Sequence, residues 1–175
     1  MTQLTEFKQW ENNISRVRLP KWKELPTLGL YVDQVAAVIN EQLANLGMEP
    51  LTKSMINNYV KKKVIQAPVK KKYAVNQIVD LLLIGLLKHN FSIDKIRASI
   101  AQITANSYPQ AAYDRFVDIM NASLSGQAIP ANDELDSNKD HLMQLAVETV
   151  VASLKASHLL LALSREETTV TPKHV

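Results

Sequence analysis

The chain has 175 residues, of which 46% are hydrophobic and 21% charged, and its formal net charge at pH 7 is +3. This composition is typical of a soluble globular protein that is large enough to bury a core. Because there is no cysteine, disulfides, thiolate metal sites and thiol nucleophiles are excluded. The N-terminal residues lack the apolar stretch of a signal peptide, and the longest apolar run, 81–87, is too short to span a bilayer. We therefore expect a soluble, cytoplasmic protein that makes no use of a membrane.

The N-terminal region, 1–30, is predicted to form a short amphipathic helix followed by an extended arm. Phe7, Trp10 and Ile14 recur at helical intervals in the first half of this region. Two prolines in the second half favour an extended chain. We expect Trp22 to hold this arm against the core.

The central region, 31–108, begins with two predicted helices. The first runs over 31–47, has one aliphatic stripe and ends at Gly47. Thr52 is placed to cap a second helix that runs to about Lys63.

Two more helices complete the central region. Pro68 predicts a loop or a cramped hairpin before them. Residues 75–89 are apolar nearly all round, which is typical of a central buried helix, and Ser92 is placed to cap the fourth helix.

The C-terminal region, 109–175, contains two predicted helices joined by a polar linker. The last of them, about 138–164, has apolar residues at alternating spacings of four and three, which is typical of a coiled-coil seam. This seam could pair two copies of the chain or could pack on its own chain; its members are Met143, Val147, Val150, Leu154, Ser157 and Leu161. The predicted fold class is therefore all-α.

The positive charge is concentrated in one segment. Between Glu49 and Asp80 there is no acidic residue, and the seven lysines there exceed the net charge of the whole chain, so the remainder is net acidic. A basic segment on an otherwise acidic protein favours a polyanionic partner.

The second predicted helix divides cleanly into two faces at 100° per residue. Its apolar side is formed by Met55, Ile56, Tyr59 and Val60. The polar side has amides, a hydroxyl and lysines but no carboxylate, and asparagine and lysine can read base edges in a major groove. We therefore expect contact with bases from Lys53, Ser54, Asn57 and Asn58. We expect contact with phosphates from Lys61, Lys62, Lys63, Lys70, Lys71 and Lys72.

The stretch "LTKSMINNYVKKKVI" resembles the recognition helix of MerR-type winged helix-turn-helix regulators. Ile56 matches a leucine of that family, Tyr59 its second tyrosine, and Val64 with Ile65 its closing aliphatic pair. Further on, "KKKYAVNQIVDLLLIGLLKHNFSIDKI" is similar to its wing tyrosine and following helix, so the resemblance covers about 31–105. It implies a winged helix-turn-helix with a shortened wing and additional C-terminal helices, bound to double-stranded DNA as a homodimer and regulating transcription.

The chain departs from the MerR pattern at the positions that would face DNA. Two arginines of that family fall on Ser54 and Asn57, and its first tyrosine falls on Asn58. The wing is several residues shorter, which leaves 68–72 as a stubby basic loop. The combination of "LYVDQV", "MINNYVKKK" and "KKKY" also resembles an uncharacterised bacterial family, a domain of unknown function related to MerR-type heads.

Other classes of function have less support in the sequence. The lysines could form an ordinary solvated face, or could dock an acidic protein, which would make the chain a helical adaptor without DNA binding. The four histidines show no metal-ligand spacing, and no catalytic motif or phosphate-binding glycine loop is present, so we expect neither an enzyme nor a cofactor. The sequence leaves open whether a small-molecule effector exists.

Overall fold

The protein is seen in a computed structural model that describes residues 3–169, with side chains for 5–165. Seven α-helices account for most of this range, and only two isolated β-bridges occur within it. The helices are α1 (Gln3–Ile14), α2 (Val32–Asn45), α3 (Lys53–Lys61), α4 (Val75–Leu87), α5 (Ile93–Thr104), α6 (Pro109–Ser125) and α7 (Ser137–Thr169). The predicted all-α class is confirmed.

Helix α4 lies at the centre of the core. Nine of its 13 residues are buried, as its apolar composition predicts. Helix α2 packs closely on it at Gly85, where an added Cβ would lie 2.9 Å from Leu43 Cδ1. Because even a methyl group would force this pair apart, the position of α2 depends on the glycine.

The start and end signals of the helices act as the sequence predicts. Gly47 follows α2 with a φ of 68°, in the left-handed region that glycine adopts without strain. Thr52 caps α3, because its Oγ1 accepts a hydrogen bond of 3.1 Å from the Met55 backbone. Ser92 caps α5 in the same way through the Lys95 backbone.

The N-terminal arm is held on α6, as expected for Trp22. The Trp22 backbone N–H donates to Asp114 Oδ1 over 2.8 Å, and the indole meets the Tyr113 ring edge-on at 6.2 Å. The Tyr113 hydroxyl donates to the Pro20 carbonyl, and burial raises the pKa of Tyr113, so the phenol stays neutral. A short 3-10 helix, Trp22–Glu24, interrupts the extended arm.

The linker between α6 and α7 is closed by a shielded ion pair. Arg115 Nε donates to Asp140 Oδ1 at 2.6 Å, and Nη2 donates to Oδ2 at 3.1 Å. Nη1 of the same arginine donates to the Pro130 carbonyl at 2.6 Å. Bonding to Arg115 lowers the pKa of Asp140, so the pair stays ionised and ties the first turn of α7 to α6.

Helix α7 has apolar residues on two opposite faces. The inner face packs on α1 and α6 and includes the first part of the predicted seam: Met143, Val147 and Val150 are buried and Leu154 is half-buried. Ser157 and Leu161 are exposed. The first four seam positions therefore pack within the chain.

The opposite face of α7 forms what we call the outer stripe. Its eight members are exposed and uncharged: Leu142, Leu145, Thr149, Ala152, Ala156, Leu159, Leu160 and Leu163. By length and composition the 29 residues Ser137–Arg165 would suffice to cross a membrane, and 22% of their most apolar window is buried. Those two criteria are weak grounds for a membrane segment, and packing on α1 and α6 makes the fold compatible with a soluble protein.

Candidate nucleic-acid interface

The ten residues predicted to contact DNA are all exposed, and we call them together the basic face. They lie on α3, at its C-terminal exit and in the loop before α4. The members are Lys53, Ser54, Asn57, Asn58, Lys61, Lys62, Lys63, Lys70, Lys71 and Lys72.

The underside of α3 holds the basic face on the core. Ile56 and Tyr59 are buried, while Met55 and Val60 are partly buried, as the helical division into two sides predicts. Burial raises the pKa of Tyr59, which keeps its phenol neutral. Tyr59 therefore packs and does not offer its ring to a nucleic-acid base.

The turn between α2 and α3 is fixed by Asn40, a role that the hydrophobic pattern of α2 does not predict. Its Oδ1 accepts a 2.8 Å hydrogen bond from the Leu51 N–H, and its Nδ2 donates to the Leu51 carbonyl, also at 2.8 Å. The amide therefore satisfies both backbone groups of a buried residue just before α3 begins. The sequence signal for this role is an asparagine next to the aliphatic stripe of α2, where a polar side chain needs a hydrogen-bond partner.

Helix α3 ends in a Schellman motif with a lysine at the left-handed position. The Val64 N–H donates to the Tyr59 carbonyl at 2.8 Å, and the Lys63 N–H donates to the Val60 carbonyl at 3.0 Å. Lys63 has a φ of 59°, where glycine is the usual residue. This conformation carries the Lys63 side chain outward from the end of the helix.

The predicted cramped hairpin follows. Val69 and Lys72 exchange two backbone hydrogen bonds of 2.9 and 3.1 Å, which leaves Lys70 and Lys71 as the two loop residues. Both have positive φ, 49° and 65°, as a type I′ turn requires. Within residues 3–169, every non-glycine residue with positive φ is a lysine of the basic face.

The base of the hairpin is tied to the chain that precedes α2. Leu30 and Tyr73 exchange backbone hydrogen bonds of 2.7 and 3.1 Å. Two further contacts extend this link: Lys53 Nζ lies 2.9 Å from Asp33 Oδ1, and Lys72 Nζ lies 5.8 Å from the Tyr31 ring centroid. The N-terminus of α2 therefore sits between the start of α3 and the hairpin.

Gln77 holds the segment between α3 and the hairpin from below. Its Nε2 donates to the carbonyls of Gln66 and Ala67, each at 2.9 Å, and its Oε1 accepts from the Ala74 N–H at 2.6 Å. The side chain is buried, with 4% of the residue exposed. In the sequence Gln77 is a polar residue in the first turn of α4. The hydrophobic pattern does not predict its hydrogen bonds to the carbonyls of Gln66 and Ala67.

Charge on the basic face is almost uncompensated by neighbours. Among the lysines of the basic face, only Lys53 has a salt-bridge partner in the described part of the chain, and that partner is Asp33. That pair is exposed and contributes little to stability. The charge pattern does not predict this pair, because Asp33 lies outside the segment between Glu49 and Asp80 that has no acidic residue. No group of three or more metal-ligating residues is found among the described residues.

Fold and surface together define a small all-helical protein whose cationic face is built on one short helix and one tight hairpin. The chain belongs to the family described as "Domain of unknown function (DUF1836)", whose profile matches residues 20–116, more than half of its length. The match contains the whole basic face, together with Asn40 and Gln77. Comparison with curated proteins and with solved structures found no match.

Proposed function

We propose that this protein binds double-stranded DNA and regulates transcription in the cytoplasm, using a MerR-like winged helix-turn-helix with a minimal wing. Helix α3 would enter the major groove, where Lys53, Ser54, Asn57 and Asn58 meet base edges. The lysines at the end of α3 and in the hairpin would grip the flanking phosphates. Such a division of base and phosphate contacts is usual for helix-turn-helix proteins.

One observation carries the proposal: all ten residues of the basic face are exposed while the apolar side of α3 is packed beneath them. A helix covered by its own chain could not enter a groove. The nearly unpaired lysines would release condensed counterions on binding, which is the main electrostatic drive for DNA association.

The left-handed lysines are a second line of support. A residue with a Cβ in this conformation costs about 1–2 kcal/mol relative to a right-handed one. Glycine or asparagine would avoid much of that cost at Lys63, Lys70 and Lys71. Strained positions of this kind concentrate at functional sites, so charge at these positions is favoured over local stability.

We further propose that two copies pair, so that two basic faces meet one pseudo-palindromic site. The predicted seam is largely used within the chain, whereas the residues of the outer stripe are exposed to solvent. At 100° per residue its eight members fall within about 100° of one another. Two helices could therefore pack along it.

The order of residues in the outer stripe favours antiparallel pairing. The stripe reads nearly the same in both directions from a point between Ala152 and Ser153. An antiparallel two-fold pair would set Leu142 against Leu163, Leu145 against Leu160, and Thr149 against Ala156, each residue facing the partner's copy of the other. Leucines then meet at both ends, and small residues allow close approach in the middle.

The stripe alone predicts a weak dimer. It is about 33 Å long and about 10 Å wide from the rise and diameter of an α-helix. This footprint is well below the roughly 800 Å² per partner that stable interfaces bury. Binding of two half-sites on one duplex would strengthen the pair through effective concentration.

Selection of bound fragments from a random duplex library, at physiological salt, tests the proposal directly. We expect an enriched sequence and binding whose log K falls steeply with log[salt], by about 0.9 for each phosphate contact. The Lys61→Ala, Lys62→Ala double variant should lower that slope by about 2. The double variant Lys8→Ala, Lys23→Ala removes the same charge from exposed positions outside the basic face and should leave the slope unchanged.

Asn57→Ala with Asn58→Ala separates DNA reading from charge-driven docking. For a DNA reader these changes should alter the selected sequence, since asparagine pairs with N6 and N7 of adenine. An unchanged selection, or no salt-sensitive binding to any duplex, would instead favour the adaptor that docks an acidic protein.

A further inference from the structure

A cavity of about 360 Å³ lies between α4, α5, α6 and α7, away from the basic face. Its walls are mainly apolar and include Leu83, Phe91, Ile100, Ile103, Phe116 and Met143. Four helices therefore contribute to one concave site, which contains no residue of the basic face.

The volume fits a small molecule. Ligand pockets typically measure about 300–1,000 Å³ and combine apolar walls with a few polar groups. Taking about 30 Å³ for one water in the liquid, the space holds on the order of a dozen non-hydrogen atoms. A protein segment would need a longer groove than this.

One ion pair supplies the polar wall. Arg97 Nη1 donates one hydrogen bond to Asp80 Oδ2 over 3.3 Å, which is long for a guanidinium and a carboxylate. Asp80 Oδ1 accepts no hydrogen bond from the described residues. The side chains of Asp80 and Arg97 are only 25% and 36% exposed, and burial raises the pKa of Asp80 against the opposing effect of Arg97.

We propose that this cavity binds an uncharged, mainly apolar small molecule carrying one group that both donates and accepts hydrogen bonds, such as a primary amide. The pair offers an acceptor in Asp80 Oδ1 and further N–H donors in Arg97. Because the pair is neutral as a whole, a bound cation would be repelled by Arg97 and a bound anion would be repelled by Asp80. Lys95, the remaining charged residue of the lining, is exposed to solvent.

The assignment does not rest on DNA binding. None of the lining residues belongs to the basic face, so failure of DNA binding would leave this proposal standing, and the reverse. Leu142, Leu145 and Thr149 line the cavity and also belong to the outer stripe, so a second copy paired there would lie beside the cavity.

Three eight-carbon probes with the same tail and different head groups test the proposal by titration calorimetry on the full chain: octanamide, octanoate and octylammonium. We expect octanamide to bind with one-to-one stoichiometry and to raise the melting temperature. The two ions should bind at least tenfold more weakly. Equal or tighter binding of either ion would overturn the head-group assignment, and no binding by any probe would overturn the site.

Two single variants test which atoms read the head group. Asp80→Asn leaves the Arg97 charge without its partner, so octanoate should become the preferred probe. Arg97→Gln leaves the Asp80 charge, so octylammonium should be preferred. Unchanged preference in both variants would contradict the role given to the pair, even if the amide still binds.

A variant that fills the cavity tests whether the ligand binds there. Ser99→Phe on α5 places a ring at a lining position and should abolish octanamide binding. Its neighbour Ala98 is exposed and lies outside the lining, so Ala98→Phe should bind octanamide as the unaltered protein does. Equal binding by both variants would show that the ligand sits elsewhere.

Discussion

Lys70 and Lys71 occupy the two backbone positions where a type I′ turn favours asparagine followed by glycine. Replacing them by that pair, Lys70→Asn with Lys71→Gly, should relieve the strain and raise the free energy of unfolding by about 1 kcal/mol. The same change removes two proposed phosphate contacts, so the slope of log K against log[salt] should fall by about 2. Thermal unfolding and salt-dependent DNA titration would measure the two effects.

The matched control for this pair is Lys70→Ala with Lys71→Ala. Alanine removes the charges but remains strained at positive φ, so DNA binding should weaken equally while stability stays near that of the unaltered protein. Equal stability of the two double variants would contradict the strain argument. Unchanged DNA binding in both would remove the hairpin from the interface.

His158 links α7 to α1 through a stack on Trp10, with ring centroids 3.9 Å apart. Burial there lowers the pKa of His158 below its ordinary value of 6.5. The unfolded chain therefore takes up a proton at a higher pH than the folded chain, and the stability contributed by the neutral imidazole is lost as the pH falls below about 6.5. We expect the stability difference between the unaltered protein and His158→Gln to shrink between pH 7.5 and 5.5, as measured by urea unfolding.

His141 provides a comparison on the same helix, since its side chain is exposed. The stability difference between the unaltered protein and His141→Gln, measured over the same pH range, shows how much acid affects the protein apart from the stack on Trp10. A stability difference for His158→Gln that does not change over this range would show that the stack does not disfavour the proton.

At the scale of elements, Gln77 couples the central helix to the segment that leaves α3. Gln77→Glu keeps an acceptor for the Ala74 N–H but turns a second oxygen toward the carbonyls of Gln66 and Ala67, where two N–H bonds stood. We expect a loss of about 2 kcal/mol in stability from the unpaired buried groups. Hydrogen exchange should rise in 62–73, and DNA binding should weaken although no proposed contact residue is changed.

Gln34 offers the matched element-level control. Its Oε1 accepts a hydrogen bond from the Tyr31 N–H at the start of α2, but its Nε2 donates no hydrogen bond to a loop carbonyl among the described residues. Gln34→Glu should therefore cost well under 1 kcal/mol and leave exchange in 62–73 unaltered. If both variants loosen that segment alike, the effect would not come from the two bonds that Gln77 donates.

The elements that the sequence predicts well are those whose signals are local. Gly47, Thr52 and Ser92 mark helix ends because their conformation or hydroxyl suits the backbone nearby. The left-handed lysines had no such signal, since lysine shows no preference for positive φ. Asn40 and Gln77 act on residues about ten positions away, and side-chain partners at that distance are not visible in periodicity.

Helix α7 shows a different limit. The spacing of four and three that predicts the seam also describes the outer stripe, because both faces of this helix are apolar. Only packing on α1 and α6 decides which face is inside. The exposure of the basic face, by contrast, follows from its charge, since lysines without partners are rarely buried.

At the scale of the whole molecule, the outer stripe predicts a two-fold antiparallel dimer with a defined register. Leu160→Glu should raise the dimer dissociation constant at least tenfold by placing a carboxylate against Leu145 of the second copy. Adding Leu145→Lys should restore pairing, because the new charges of the two copies would then face each other. Sedimentation of the full chain over a range of concentrations would measure both effects.

The register has its own control. Leu142→Lys in place of Leu145→Lys should not restore pairing, because Leu142 faces Leu163 in the proposed arrangement. Rescue by both lysines alike would point to non-specific attraction. If the chain binds lipid vesicles through these leucines without self-association, the second copy is the wrong occupant of the stripe.

The packing of α1 on α7 has a consequence for how the protein is made. Trp10 stacks on His158, and Glu11 lies 3.6 Å from Lys155, so α1, which is translated before the other described helices, finds its main packing partner in α7, which is translated after them. Until α7 has been translated, the aromatic side of α1 lacks this packing partner. A chain that stalls or terminates before α7 would leave that surface exposed, and we expect quality-control proteases to remove it quickly.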